Sequence, residues 1–259
     1  MSTVSSPRIA WRLATVVSIR DETARARSLI LDVPDWPGHR AGQHVDVRLT
    51  AEDGYQTERS YSIASSPENS HLELTVERLE EGEVSPYLTD ELKPGDQIEL
   101  RGPIGGYFVW DVSLGGPLLL VGGGSGIVPL MAMLRHRDAA LNREDMTARH
   151  RVPARLLYSS RGRDDVIYRD ELDELAKADD SLEVIHTLTR QQPENWTGFA
   201  RRIDKMMLSE VAWPPSEQPR AFICGPTPLV ESAAAALVEL GHQPNLVKTE
   251  RFGPTGPTA

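Results

Sequence analysis

Two patterns predict a chain in two parts: an antiparallel six-stranded β-barrel or sandwich, followed by a doubly wound parallel sheet flanked by helices. The first is a series of short segments rich in β-branched residues, separated by turn chemistry, from Trp11 to about Arg101. The second is an alternation of apolar strand and helical segment from Leu118 onward. The period changes within Val112 to Pro117, "VSLGGP", dividing the chain into residues 8–112 and 116–254.

In the first part six strands are expected: "WRLATVVSI", "RSLILDV", "QHVDVRL", "ERSYSIA", "HLELTVERL" and "DQIELRG". Pro37-Gly38, Asp53-Gly54, Pro67 to Ser70 and Pro94-Gly95 lie between them, and such dipeptides favour turns. In the second part "LLLVGG" is a continuous apolar run, as a strand buried on both faces requires. The helical pattern "IVPLMAMLRHRDAAL" follows it. Next come strand "RLLYSS", helix "YRDELDELAKA", strand "LEVIHTLT", a helix near Ile203 to Glu210, strand "RAFICG", helix "LVESAAAALVEL" and strand "LVKTERF". Leu141 to Pro153 and Trp213 to Pro219 read as loops, and Gly253 to Ala259 as a loosely held tail.

At 259 residues, 39% hydrophobic and 25% charged, the composition is that of a globular protein of one large or two modest domains. No apolar run approaches the ~20 residues of a membrane span, and Met1 to Ala10 lacks a signal-peptide pattern, so a cytoplasmic location is expected. Cys224 is the only cysteine, which excludes an internal disulfide and a cysteine-held iron–sulfur or zinc site. A net charge of −10 argues against sequence-independent nucleic-acid binding. The seven histidines have no partners at ligand spacing, so no metal site is assigned, and His136 reads as a surface residue. No Gly-x-Ser-x-Gly elbow is present.

Five segments carry chemistry. Arg59-Ser60-Tyr61-Ser62 packs a cation, an aromatic ring and two hydroxyls into a strand, with Arg59 and Tyr61 on one face and Ser60 and Ser62 on the other. Such a kit suits a flavin nucleotide: a cation for phosphate, a ring against the ring system, small donors for polar edges. Gly122-Gly123-Gly124-Ser125-Gly126 stands between a buried strand and a helix, where bare amides and the helix dipole favour an anion; a tight strand-to-helix turn is the alternative. Pro129 fits that helix's first turn. Gly82-Glu83-Val84-Ser85 precedes "PYLTDEL"; Ser85 is expected to cap that helix, leaving amides for a second phosphate, although capping alone explains it. Cys224-Gly225-Pro226 ends a buried strand, where a thiol near a helix N-terminus has a lowered pKa unless it is simply a small core residue. After "RLLYSS", Ser159, Ser160, Arg161 and Arg163 form a hydroxyl–arginine cluster suited to the 2′-phosphate of NADP(H), or an exposed loop.

In this order, these segments resemble the ferredoxin–NADP(+) reductase superfamily over nearly the whole chain, Arg8 to Pro254. The resemblance implies a Greek-key flavin-binding barrel at 8–112 and an NAD(P)-binding α/β domain at 116–254. Arg59 would pair with the flavin phosphates, while Tyr61 and Ser62 would face the isoalloxazine and ribityl groups. Ser60, Val76, Gly82, Val84 and Ser85 complete the flavin set; Glu81 stands where the family's phosphate loop usually has a first glycine. "RGPIGGYF", Arg101 to Phe108, resembles the strand and turn that close the flavin domain. Gly123, Gly124, Ser125 and Gly126, with Ser159, Arg161, Cys224, Gly225, Pro226 and Phe252, would bind the coenzyme and face the flavin. Ser125, Cys224 and Glu250 would polarise or position the nicotinamide, and Phe252, in "ERFGP", would move aside for it.

The implied chemistry is a hydride passed from NADP(H) or NAD(H) to FAD, FMN being second choice, and then single electrons to an external acceptor protein. Arg161 and Arg163 point to NADPH. The chain lacks the length and cysteines for its own iron–sulfur or haem domain, so a stand-alone reductase is expected. The alternatives are an electron-transfer subunit of a larger redox complex, or a free-flavin or ferric reductase.

Overall fold

The computed structural model describes residues 9–141 and 152–252. Six strands form the first sheet: β1 (Trp11–Thr23), β2 (Ala26–Asp32), β3 (His44–Thr50), β4 (Gln56–Ser62), β5 (Leu72–Glu77) and β6 (Gln97–Ile104). Their order is β4-β3-β6-β1-β2-β5, with every pair antiparallel. An antiparallel bridge between Ile63 and Leu74 joins the two edge strands, closing the sheet into a barrel. Closure removes the exposed edges that invite aggregation. Alternate residues such as Leu29, Leu31, Val45, Val47, Leu74, Val76 and Leu100 fill the interior. Val84, Leu88 and Leu92, around the short helical segment Tyr87–Glu91, pack on the same core. Each such aliphatic side chain contributes about 1.5–3 kcal/mol on burial.

The second sheet holds β7 (Leu118–Gly123), β8 (Ala154–Ser160), β9 (Leu182–Leu188), β10 (Arg220–Pro226) and β11 (Val247–Phe252). It is parallel, in the order β11-β10-β7-β8-β9. The apolar run of β7 is explained by its two covered faces. Leu118 and Leu120 join the core beneath α1 (Ile127–Leu141) and α2 (Arg169–Ala178). Leu119 and Val121 join the core beneath α3 (Lys205–Val211) and α4 (Thr227–Glu239). The Asp204 carboxylate starts α3 by accepting the Met207 amide at 2.7 Å. Strand order reverses between β7 and β10, the place where open α/β sheets bind ligands at their carboxyl ends.

All six barrel strands, all five parallel strands and four helices fall where the sequence periods place them. His136 does not lie on the surface. It is only 5% exposed, with Nδ1 at 2.9 Å from Glu68 and Nε2 at 3.4 Å from Asp111. The reason is that α1 is buried nearly all round, one side against the parallel sheet and another against the barrel, so its polar residues face a joint rather than water.

Candidate functional site

The alternation expected for β4 is present. Tyr55, Thr57 and Arg59 face the Gly82–Ser85 loop, where Glu83 accepts from Thr57 Oγ1 at 3.2 Å and lies 3.6 Å from an Arg59 guanidinium nitrogen. Arg59 also donates to the Glu58 carbonyl at 2.7 Å. Tyr61 continues that row inward, packed on the barrel core, and burial pushes its phenol up to about 12 against the opposing pull of Arg59. The other row holds Glu58, Ser60 and Ser62. Ser60 donates to Asp46 at 2.6 Å, and Arg101 pairs with Asp46 and Glu58, so Ser60 stands apart from the Arg59 cluster. Ser62 is buried and its hydroxyl has no partner. Val76 and Val84 place their side chains in the barrel core, leaving only backbone for a ligand.

Ser85 does not cap a helix. Its hydroxyl turns back to accept the Leu79 amide at 3.0 Å, bracing the turn that Gly82 closes on the Leu79 carbonyl at 2.9 Å. The Tyr87–Glu91 segment begins after Pro86 with no side-chain cap. The competing reason is local: the residues before Ser85 form a tight turn whose own amide needed an acceptor.

At the carboxyl end of the parallel sheet, Gly122 pairs with Cys224, and Gly124–Gly126 forms a 3-10 turn leading into α1. A Cβ on Gly126 would stand 2.1 Å from the Cys224 carbonyl oxygen, so two backbones meet here with no room for a side chain. Gly124 has φ +55°, and the Tyr158 hydroxyl holds its carbonyl at 3.1 Å. Ser125 is half-buried on this turn. Gly225 and Pro226 complete the facing wall, and Phe252 pairs with Pro226 at the end of β11, half-buried against the core under α1. The remainder of "ERFGP", Gly253 and Pro254, lies outside the described residues.

Cys224 reverses one expectation. It is fully buried, its Sγ is 3.9 Å from Glu250 Oε2, and burial together with that carboxylate pushes the thiol well up rather than down. Burial likewise raises Glu250 to about 7, opposed by the thiol contact. The pair is a proton-bearing couple, not a thiolate. Parallel pairing of β10 with β11 sets Cys224 beside Glu250, which no local pattern reveals.

Along the end of β8, Ser159 is half-buried and Arg161 and Arg163 are exposed; among the described residues neither guanidinium has an acidic partner. The Arg161 carbonyl accepts from Arg190 and Gln191. His186 Nδ1 is buried without a partner, and the Ser160 hydroxyl meets the Tyr158 phenol. A buried polar atom left unpaired costs about 1–3 kcal/mol. Ser62 in the barrel and His186 at the end of the parallel sheet carry such atoms. The sequence reading missed Glu77, whose carboxylate reaches across from β5 to within 3.7 Å of where a Gly124 Cβ would lie, and Glu83 on Arg59.

Comparison with known proteins follows this division. Residues 12–109 match the oxidoreductase FAD-binding domain model, and residues 120–235 match the oxidoreductase NAD-binding domain model. NADH-cytochrome b5 reductase 1 of Aspergillus terreus is 30% identical over 210 residues, 80% of this chain and 69% of that protein. The chain belongs to the ferredoxin–NADP(+) reductase superfamily. The glycine betaine monooxygenase reductase subunit of Pseudomonas aeruginosa is 31% identical over 250 residues, 95% of this chain and 65% of its own length. Among solved structures, the FAD/NAD-binding domain of nitric oxide dioxygenase from Vibrio cholerae superposes with TM-score 0.80 at 22% identity, covering 95% of this chain and all of that one. The Amycolatopsis cytochrome P450 reductase GcoB gives 0.79 at 25% identity, covering 96% and 71%. The chain spans about two thirds of several curated relatives, 64–66% of their length. Among the described residues no helix is long and apolar enough to cross a membrane.

Proposed function

We propose that this protein is an NAD(P)H-dependent flavoprotein reductase that loads FAD from a reduced nicotinamide and passes electrons singly to an external acceptor protein. The observation that carries this reading is the meeting of the two halves. The Gly122–Gly126 turn, against Cys224 and Glu250, stands beside Glu77 at the end of the flavin-half strand β5. When bound, FAD supplies the conversion of a two-electron donor into one-electron deliveries.

The chain supplies placement. Arg59 offers charge to a phosphate group, exchanging Glu83 for it, and Ser62 offers its free hydroxyl to a polar ring edge. Tyr61, half-buried and neutral, presents a ring face. Gly123–Gly126 lets a coenzyme lie against bare backbone, with Ser125, Cys224 and Glu250 around the nicotinamide. Phe252, half-buried at the end of β11, would move aside for the nicotinamide to stack. Arg161 and Arg163, with Ser159, favour NADPH, whereas the b5 reductase relatives carry NADH in their names. The reductase subunit of an oxygenase among the relatives supports a protein acceptor. The flavin-binding unit is assigned to 8–112 and the coenzyme-binding unit to 116–254.

FAD-loaded protein, NADPH and ferricyanide test the reading in steady state. Sustained NADPH oxidation is expected. Tight FAD binding without turnover would favour a passive electron-transfer subunit instead.

A further inference from the structure

Strand β5 carries a row of side chains that leaves the barrel and enters the other half of the molecule. Leu72, Leu74 and Val76 fill the barrel core, so Glu73, Thr75 and Glu77 share the opposite face. Each meets a different part of the parallel-sheet half. Glu73 accepts from Arg135 of α1 at 3.0 Å; Thr75 accepts from the Tyr168 hydroxyl at the start of α2; Glu77 stands beside Gly124.

The contacts close on themselves. Arg135 donates two 2.7 Å hydrogen bonds to Glu171 and one of 2.9 Å to the Ala64 carbonyl, and its guanidinium lies 5.0 Å from the Tyr168 ring centroid. The Tyr168 amide donates to Glu22 of β1 at 3.3 Å. Glu22 also accepts from Ser28 at 2.7 Å, and the Ser28 hydroxyl bonds Thr75 at 2.7 Å, completing a ring of hydrogen bonds back to Tyr168. Tyr168 is buried with φ 60° and ψ 27°, a left-handed backbone that a bulky residue seldom adopts. Such strain persists only where the surroundings over-determine it. Here barrel residues hold both the amide and the hydroxyl.

We propose that the Glu73–Arg135 and Thr75–Tyr168 contacts are positioning contacts that fix the register between the two halves and so align the nicotinamide with the flavin. Apolar contact alone would glue the halves without choosing a register; directional bonds choose one. Glu77, beside the glycine turn, lies on the same strand two residues beyond Thr75, roughly 7 Å at the usual strand rise. A slip at Thr75 is therefore delivered to the site, where reacting atoms must come within about 3–3.5 Å. The alignment part of this inference rests on the proposed reductase function; the clamp itself does not.

Tyr168→Phe is the cleanest variant, because the ring stays and Thr75 keeps its Ser28 partner. Glu73→Gln keeps the side chain's size while removing the charge that Arg135 meets across the two halves. Spin labels at two introduced cysteines in exposed positions, Asp53→Cys and Glu194→Cys, report the distance between the halves by double electron–electron resonance, Cys224 being buried. FAD affinity is read by fluorescence quenching, and flavin reduction by anaerobic stopped flow. The parent should give one narrow distance distribution. Both variants should broaden or shift it, keep FAD affinity within about twofold, and slow flavin reduction by about tenfold or more. An unchanged distance overturns the clamp, whatever the rate. A changed distance with an unchanged rate overturns the alignment role. If the parent binds no FAD, the reductase reading fails while the distances still judge the clamp.

Discussion

Arg59 and Glu250 show how far single residues are set by their neighbours. Arg59 is half-exposed and already leans on Glu83, so a phosphate has to replace a carboxylate there. A charge-assisted hydrogen bond contributes ~1.5–3 kcal/mol, so Arg59→Ala should weaken FAD binding by about ten- to a hundredfold in a fluorescence titration. Glu83→Gln, which removes the competitor, should tighten it by a few fold. Glu250 carries a pH signature. Its folded pKa, about 7, stands above the ordinary 4.5, so between these values the folded state holds the extra proton. Stability therefore falls as pH rises through that window and is flat above it. The histidines held below their ordinary value by burial, His39, His44, His186 and His242, act in the opposite sense and alike in parent and variant. The difference in urea midpoint between the parent and Glu250→Gln therefore isolates Glu250 and should fall as pH rises from 5 to 7.

At the scale of elements, the glycine turn is the tightest joint in the parallel sheet. Gly126→Ala forces a methyl group to 2.1 Å from the Cys224 carbonyl. It should cost about 1–3 kcal/mol or more, read as a lowered urea midpoint with an unchanged slope. The elements themselves were legible because β7 is apolar on both faces, the barrel strands alternate, and proline and glycine mark their ends. The fine use of residues was not. Ser85 before Pro86 has the pattern of a cap, yet its hydroxyl serves the Leu79 amide, a choice made by turn geometry. The upward Cys224 shift comes from burial, reinforced by Glu250, 26 residues away in sequence and adjacent only through parallel register. His136 reads as helix surface, because a sequence does not say which face of α1 meets a second domain.

For the whole molecule, the clearest consequence of two halves is a division of labour between flavin and coenzyme. We assign the coenzyme choice to the end of β8. NADPH should be preferred over NADH by kcat/KM, and Arg161→Ala with Arg163→Ala should lower the NADPH value while leaving NADH nearly unchanged; equal values in the parent would remove the assignment. The central claim is that a flavin held on the Arg59–Ser62 strand is reduced by a nicotinamide held on the Gly122–Gly126 turn. Anaerobic stopped-flow mixing of FAD-loaded protein with NADPH tests it most directly. Rapid loss of the yellow flavin absorbance is expected in a single turnover, saturating with NADPH concentration. Absorbance that persists in protein shown to hold FAD would contradict it.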